Sequence, residues 1–219
     1  MARASGSRWR SQNDERTYSR RPQNIGAMVH GGPRRGQGRS GSARLRPIGT
    51  VMLFQQLLTT ALVPYVLWLV FAYRWHFLDG VNLLFHEGGH MVLLPFGMTL
   101  HMLGGTLGQL FFPAACAFHF WRRGKEFEAW ICGLWLAEST MYMAEYLGDA
   151  KAMALPLVGG GIHDWHWILS RVGLLDWCGP IATVIHGFAS LLALTCLGQA
   201  AALAFGLRPA RRDAEARAD

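Results

Sequence analysis

Five apolar runs, each near the length of a bilayer-crossing helix, leave this chain few ways to fold. A hydrocarbon core about 30 Å thick takes around 20 residues in helix. The run Thr50 to Tyr73 supplies that length without a charged residue, and its Trp68 and Tyr73 suit an interfacial belt. The second run, Phe77 to Phe96, is apolar except for Asp79, Asn82 and the cluster His86-Glu87-Gly88-Gly89-His90. The third, Leu103 to Trp121, opens on the glycine-rich stretch Gly104 to Gln109, and the fourth, Ala129 to Leu147, contains Glu138 and Glu145. The last runs from about Pro180 to Phe205. Residues 148–179 are mixed, with Pro156, a Gly159-Gly160-Gly161 turn and a short interfacial helix expected over Asp164 to Leu175. Backbone polar groups in lipid must be satisfied within the segment, so the runs predict an all-α, polytopic transmembrane helix bundle of about five spans.

Charge sharpens that division. The net charge is +7, yet eleven of the 21 basic residues precede Pro47, where only Asp14 and Glu15 oppose them. The basic character therefore describes a tail and not a nucleic-acid-binding face, and no nucleic-acid partner is expected. Residues 1–47 are rich in Arg, Ser, Gly and Gln and cannot bury enough surface to offset their ordering entropy. They read as a disordered basic tail able to meet anionic headgroups, or as sequence upstream of a start at Met28 or Met52. The tail argues for a cytoplasmic N-terminus. A re-entrant segment near residues 77–110 would return the later charges to the cytoplasm, and the opposite orientation also works if translation starts after the tail. The four cysteines show no CxxC pair and carry no disulfide or metal role in this reading.

His86-Glu87-Gly88-Gly89-His90 carries the chemistry. Residues four apart share a helix face, so both imidazoles can bind one zinc while Glu87 reaches its water as general base. A chance match to the three fixed residues in a chain of this length is on the order of one in a hundred. Ionisable residues at membrane depth are costly and usually functional. Asp79, Asn82, His86 and His90 form one helical stripe, and Glu138, Tyr142, Glu145 and Asp149 form another. Two polar stripes in lipid should face each other. A catalytic zinc needs a third protein ligand, and Asp149, at a helix end, leads Glu145 by a small margin. His163 could be a further ligand or donor. Asp164 could hold a ligand imidazole, or could cap the short helix. The glycines at 104–108 permit close helix packing, or alternatively a non-helical edge that receives an extended substrate. Asp79-Gly80 reads as the start of a helix or as support to the ligands.

In carrying HExxH within a membrane span, the chain resembles the M50-type, site-2-protease-like membrane metallopeptidases. It is more specifically similar to a group of small bacterial membrane proteins with the pattern HExGH, GGxLxQLxxP, YxADAR, LPLxGG and HDW. Here these stand at His86 to His90, Gly104 to Pro113, Tyr146 to Lys151, Leu155 to Gly160 and His163 to Trp165. The likeness covers most of residues 50–200, and it lacks the downstream NPDG or LDG element of site-2 proteases. It implies a multi-pass protein of the bacterial inner membrane that cleaves a membrane-associated peptide or protein. Together the readings give residues 48–207 as a membrane-embedded metallohydrolase-like domain between the 1–47 tail and a short charged tail at 208–219. The expected centre is Zn2+ on His86, His90 and Asp149 with Glu87 as base. The alternatives are a zinc hydrolase of a lipid amide and a non-enzymatic zinc-binding membrane protein.

Overall fold

The computed structural model describes residues 48–158 and 161–210; the expected tail at 1–47, Gly159, Gly160 and residues 211–219 lie outside them. All regular structure among the described residues is helical. Six α-helices follow in order: α1 Ile48–Ala72, α2 Phe77–Leu93, α3 Met98–Arg122, α4 Glu126–Gly148, α5 Asp164–Arg171 and α6 Cys178–Ala204. Short 3-10 turns occupy Leu94–Phe96 and Leu175–Trp177. The five long helices coincide with the five apolar runs. α5 is shorter than expected, because Gly173, at φ 68, ends it before Leu175.

Local chemistry explains the boundaries. Asp79 accepts the backbone N–H of His76 at 2.7 Å, closing the first turn of α2. Gly97 takes φ 96 between the 3-10 turn and α3, a conformation that favours glycine. Glu126 and Glu128 occupy the first turn of α4, where carboxylates suit the helix dipole.

α4 sits centrally, packed on α6 and α3, while α2 lies along α3 and α1 along α6. Val66 and Leu69 of α1, Leu134, Ala137 and Met141 of α4, and Ala189, Ala193 and Cys196 of α6 form the main apolar core. Around that core the usual pattern of a soluble protein is inverted. Phe71 is 81% exposed, Met91 76% and Phe188 69%, whereas Asp79, Asn82, His86, Gln109, Glu138 and Ser139 are buried. A monomeric soluble protein rarely presents so much contiguous apolar surface. Gly49–Ala72 and Leu175–Ala204 are long and apolar enough to cross a membrane.

The two polar stripes meet at Asn82 and Glu138, whereas His86 and His90 turn to α3 and α5. Asn82 Nδ2 donates to both Glu138 oxygens at 3.1 and 2.9 Å, and Trp135 Nε1 donates to Asn82 Oδ1 at 2.9 Å. Beside them the His76 imidazole lies between Asp79, 2.8 Å away, and Glu138, 3.6 Å away. Tyr65 and Tyr73 tie this network to α1 through His76 and Asp79. Asp79 thus starts α2 and anchors it to its neighbours.

Candidate metal centre and active site

Both histidines of the HExxH sequence lie on α2, and α3 passes unusually close to them. A Cβ on Gly104 would stand 2.6 Å from the Gly89 carbonyl oxygen, and one on Gly89 or Gly108 would overlap backbone of the facing helix. Glycine is what lets these helices approach. Gly105 makes room for the His86 ring, whose Cδ2 and Cε1 lie 2.5 Å from where a Cβ would be. Residues 104–108 are helical throughout, so the alternative of an irregular edge for an extended substrate is not realised.

Each imidazole is held from behind. His86 Nδ1 lies 2.8 Å from Gln109 Oε1, and His90 Nδ1 lies 2.7 Å from the His101 carbonyl oxygen. Gln109 is itself locked: its Nε2 donates to the Ser139 carbonyl at 3.1 Å, and Ser139 Oγ donates to the Gln109 carbonyl at 3.2 Å. That carbonyl is free for Ser139 because Pro113, four residues on, has no N–H to offer it. Carbonyl and amide oxygens only accept, so both rings carry their proton on Nδ1 and direct Nε2 elsewhere.

That direction is α5. His86 Nε2 and His90 Nε2 lie 3.0 and 3.1 Å from the same oxygen, Asp164 Oδ2. The three side chains form a group whose donor atoms all lie within 4.8 Å of one another. Burial by itself pushes the Asp164 carboxyl up, and the two imidazoles outweigh it and hold it below the usual carboxylate range. Two lone-pair nitrogens facing a carboxylate oxygen repel unless positive charge stands between them. Either both rings take a second proton, or a cation bridges the three groups. The donor set of two imidazoles and one carboxylate fits zinc, and the held Nδ1 atoms match the support that zinc-ligating histidines receive.

Asp149, expected as the third ligand, is engaged elsewhere. Its Oδ1 and Oδ2 accept the backbone N–H groups of Ala154 and Leu155, each at 2.9 Å. It therefore caps the loop that leaves α4, a role the expectation overlooked because helix-end position alone does not say which way a carboxylate turns. Its Oδ2 also stands 3.7 Å from His163 Nε2. His163, not Asp164, caps α5, accepting the His166 N–H on Nδ1 at 3.3 Å. The His163 ring stacks on Tyr146 with centroids 4.1 Å apart, and burial holds its pKa below the usual imidazole range. Tyr146 Oη accepts the Asp164 N–H at 3.3 Å, and His166 Nδ1 lies 2.8 Å from the Ala150 carbonyl. These contacts dock α5 on the end of α4 and aim Asp164 at α2.

A cavity of about 560 Å³ opens beside the cluster. His86, Glu87, His90 and Asp164 line one part of it, with Tyr142, Glu145 and Tyr146 from α4. Leu83, Met102 and the loop residues Leu155 to Val158 and Ile162 supply apolar wall. Glu87 thus shares a cavity with both imidazoles. Gln109 and His101 were absent from the expected site. The signals for Gln109 were its place as a polar residue in an otherwise apolar run and as the Q of GGxLxQLxxP, and for His101 nothing distinguishes a backbone acceptor.

No family model matches the chain, and neither does any curated protein or solved structure.

Proposed function

We propose that the chain is a multi-pass membrane zinc hydrolase of about five spans that cleaves a peptide bond in a membrane-associated substrate. The observation that carries the reading is the convergence of two Nδ1-protonated imidazoles on one Asp164 oxygen at 3.0 and 3.1 Å. A cation resolves the repulsion in that arrangement without two buried extra protons. His86, His90 and Asp164 would hold it at the edge of the cavity that would receive water and substrate. Zinc bound there supplies Lewis acidity toward water and toward a carbonyl. Glu87 accepts the proton that water gives up as its oxygen bonds to the carbonyl carbon. It then returns that proton to the nitrogen as the C–N bond breaks. Gln109 and the His101 carbonyl keep the imidazoles oriented throughout. The apolar part of the cavity wall, with Leu83, Met102, Leu155 and Ile162, suits a hydrophobic peptide.

Several apolar faces support the membrane assignment. Leu84 and Met91 of α2, Phe111 and Phe118 of α3, and the exposed stripes of α1 and α6 would all face lipid. α2 with its 3-10 turn is about 30 Å long, and α3, α4 and α6 are each longer than the hydrocarbon core.

Metal content of detergent-purified protein tests the centre directly. The wild type should carry about one zinc per chain, as one such cluster implies, and His86→Ala, His90→Ala and Asp164→Ala should each lose it. Asp149→Asn should retain zinc. Glu87→Gln should retain zinc while hydrolysis of a fluorogenic apolar peptide falls by about 10²-fold or more. A wild type that stays metal-free when zinc is supplied would overturn the reading.

A further inference from the structure

The cavity wall has a charge pattern that the hydrolytic step does not use up. Among the described residues it presents three carboxylates, Glu87, Glu145 and Asp164, the imidazoles of His86, His90 and His101, and no lysine or arginine. Asp164 faces two imidazoles. Glu87 follows His86 directly and serves as the proton acceptor of the proposed reaction. Glu145 has neither role. It stands exposed on α4 and makes no hydrogen bond or ion pair with any described residue. Glu145 opens on the cavity, and carboxylates of membrane helices that line a cavity mark ligand paths. Tyr142, Tyr146 and Trp75 line the same cavity. An unpaired carboxylate among aromatic rings is the chemistry that receives a cationic nitrogen, by ion pairing and by attraction to the ring faces.

We propose that Glu145 is a specificity-determining residue that binds a cationic nitrogen of the substrate. The substrate is then an apolar peptide with a lysine, an arginine or a free amino terminus near the bond that is cut. The peptide source rests on the hydrolase reading above, whereas the amine site does not. An amine-bearing phospholipid offers the same nitrogen, but among the described lining residues its phosphate would find no lysine or arginine, only the imidazoles of His86, His90 and His101.

Two readouts test this on the full chain, purified in amphipol and supplied with zinc. In the first, n-hexylammonium and hexanol are titrated into wild type and Glu145→Gln and followed by saturation-transfer NMR. The wild type should bind the ammonium about tenfold more tightly than the alcohol, and Glu145→Gln should bind both alike. Unchanged hexanol binding in the variant shows that the cavity is still formed. A preference for ammonium that survives in Glu145→Gln, or is absent from the wild type, overturns the site.

In the second, quenched apolar peptides differ only in one lysine, norleucine or glutamate. The lysine peptide should be cut about tenfold faster than the norleucine peptide by the wild type and equally fast by Glu145→Gln. Glu145→Lys should favour the glutamate peptide. Zinc-dependent cleavage without a lysine preference refutes the role of Glu145 and leaves the hydrolase standing. Ammonium discrimination in a chain that holds no zinc and cuts nothing refutes the hydrolase and leaves the amine site. Displacement of n-hexylammonium by phosphatidylethanolamine vesicles, but not by the lysine peptide, refutes the peptide assignment.

Discussion

Gln109 does at residue scale what a metal site needs from its surroundings. One amide orients His86 and donates to the Ser139 carbonyl, while the residue's own carbonyl receives the Ser139 hydroxyl. Gln109→Ala should therefore weaken zinc retention by roughly 10–100-fold, the usual loss when the partner of a ligand imidazole is removed. Competition with a chromophoric chelator reads this out, and wild-type affinity in the variant would show that the contact is dispensable. Gly105 acts by absence. A methyl group there would meet three atoms of the His86 ring, which Gln109 and Asp164 leave no room to swing. Gly105→Ala should lose zinc while its helical circular dichroism stays at the wild-type level.

The decisive event among the elements is the docking of α5 on α4. Asp149 holds the loop by two backbone hydrogen bonds, and Tyr146, His163 and His166 fasten the short helix behind it. Asp149→Ala removes two hydrogen bonds to N–H groups that are exposed or half-buried and can turn to water, so it should cost about 1 kcal/mol. Thermal unfolding in detergent measures that loss. Zinc should bind the folded variant more weakly only insofar as α5 drifts, so Asp149→Ala should retain far more metal than Asp164→Ala. Equal losses in both variants would return Asp149 to the ligand set. α2 and α3 present the opposite design, with rigid contact through glycine instead of a tethered loop. The two imidazoles thus come from a stiff hairpin and the carboxylate from a separately docked helix.

Among the described residues large apolar side chains lie exposed on several helices while a polar network is buried beside the apolar core, which makes the surroundings of each face a measurable quantity. Leu191 lies near the middle of α6 and is 64% exposed. Leu191→Arg should cost roughly 3–4 kcal/mol of membrane insertion, the penalty for arginine at a helix centre plus the lost contribution of leucine. A translocon insertion assay on the α6 segment checks it, and free insertion of the variant would argue that α6 does not face lipid. The site also joins elements distant in sequence, since His86 and Asp164 are 78 residues apart. Zinc should therefore stabilise the folded chain by about 2.7 kcal/mol at a free concentration a hundred times its dissociation constant. That shift should vanish in His86→Ala.

The helices and the histidine pair were legible in the sequence because both depend on local spacing. Twenty apolar residues dictate a helix wherever they sit in lipid, and residues four apart share a face whatever lies opposite. The same periodicity put Asn82 and Glu138 on stripes expected to face each other, and these two residues do meet, while His86 and His90 do not reach Glu145 or Asp149. The third member of the cluster was not legible. Asp149, Glu145 and Asp164 are all carboxylates near the ends of helices, and spacing cannot say which one turns toward α2. Tertiary packing decided it, because the backbone N–H groups after α4 claimed Asp149 while the Tyr146 and His166 contacts carried Asp164 to the imidazoles. Periodicity along one chain determines faces; only the contacts between helices determine which groups on those faces converge.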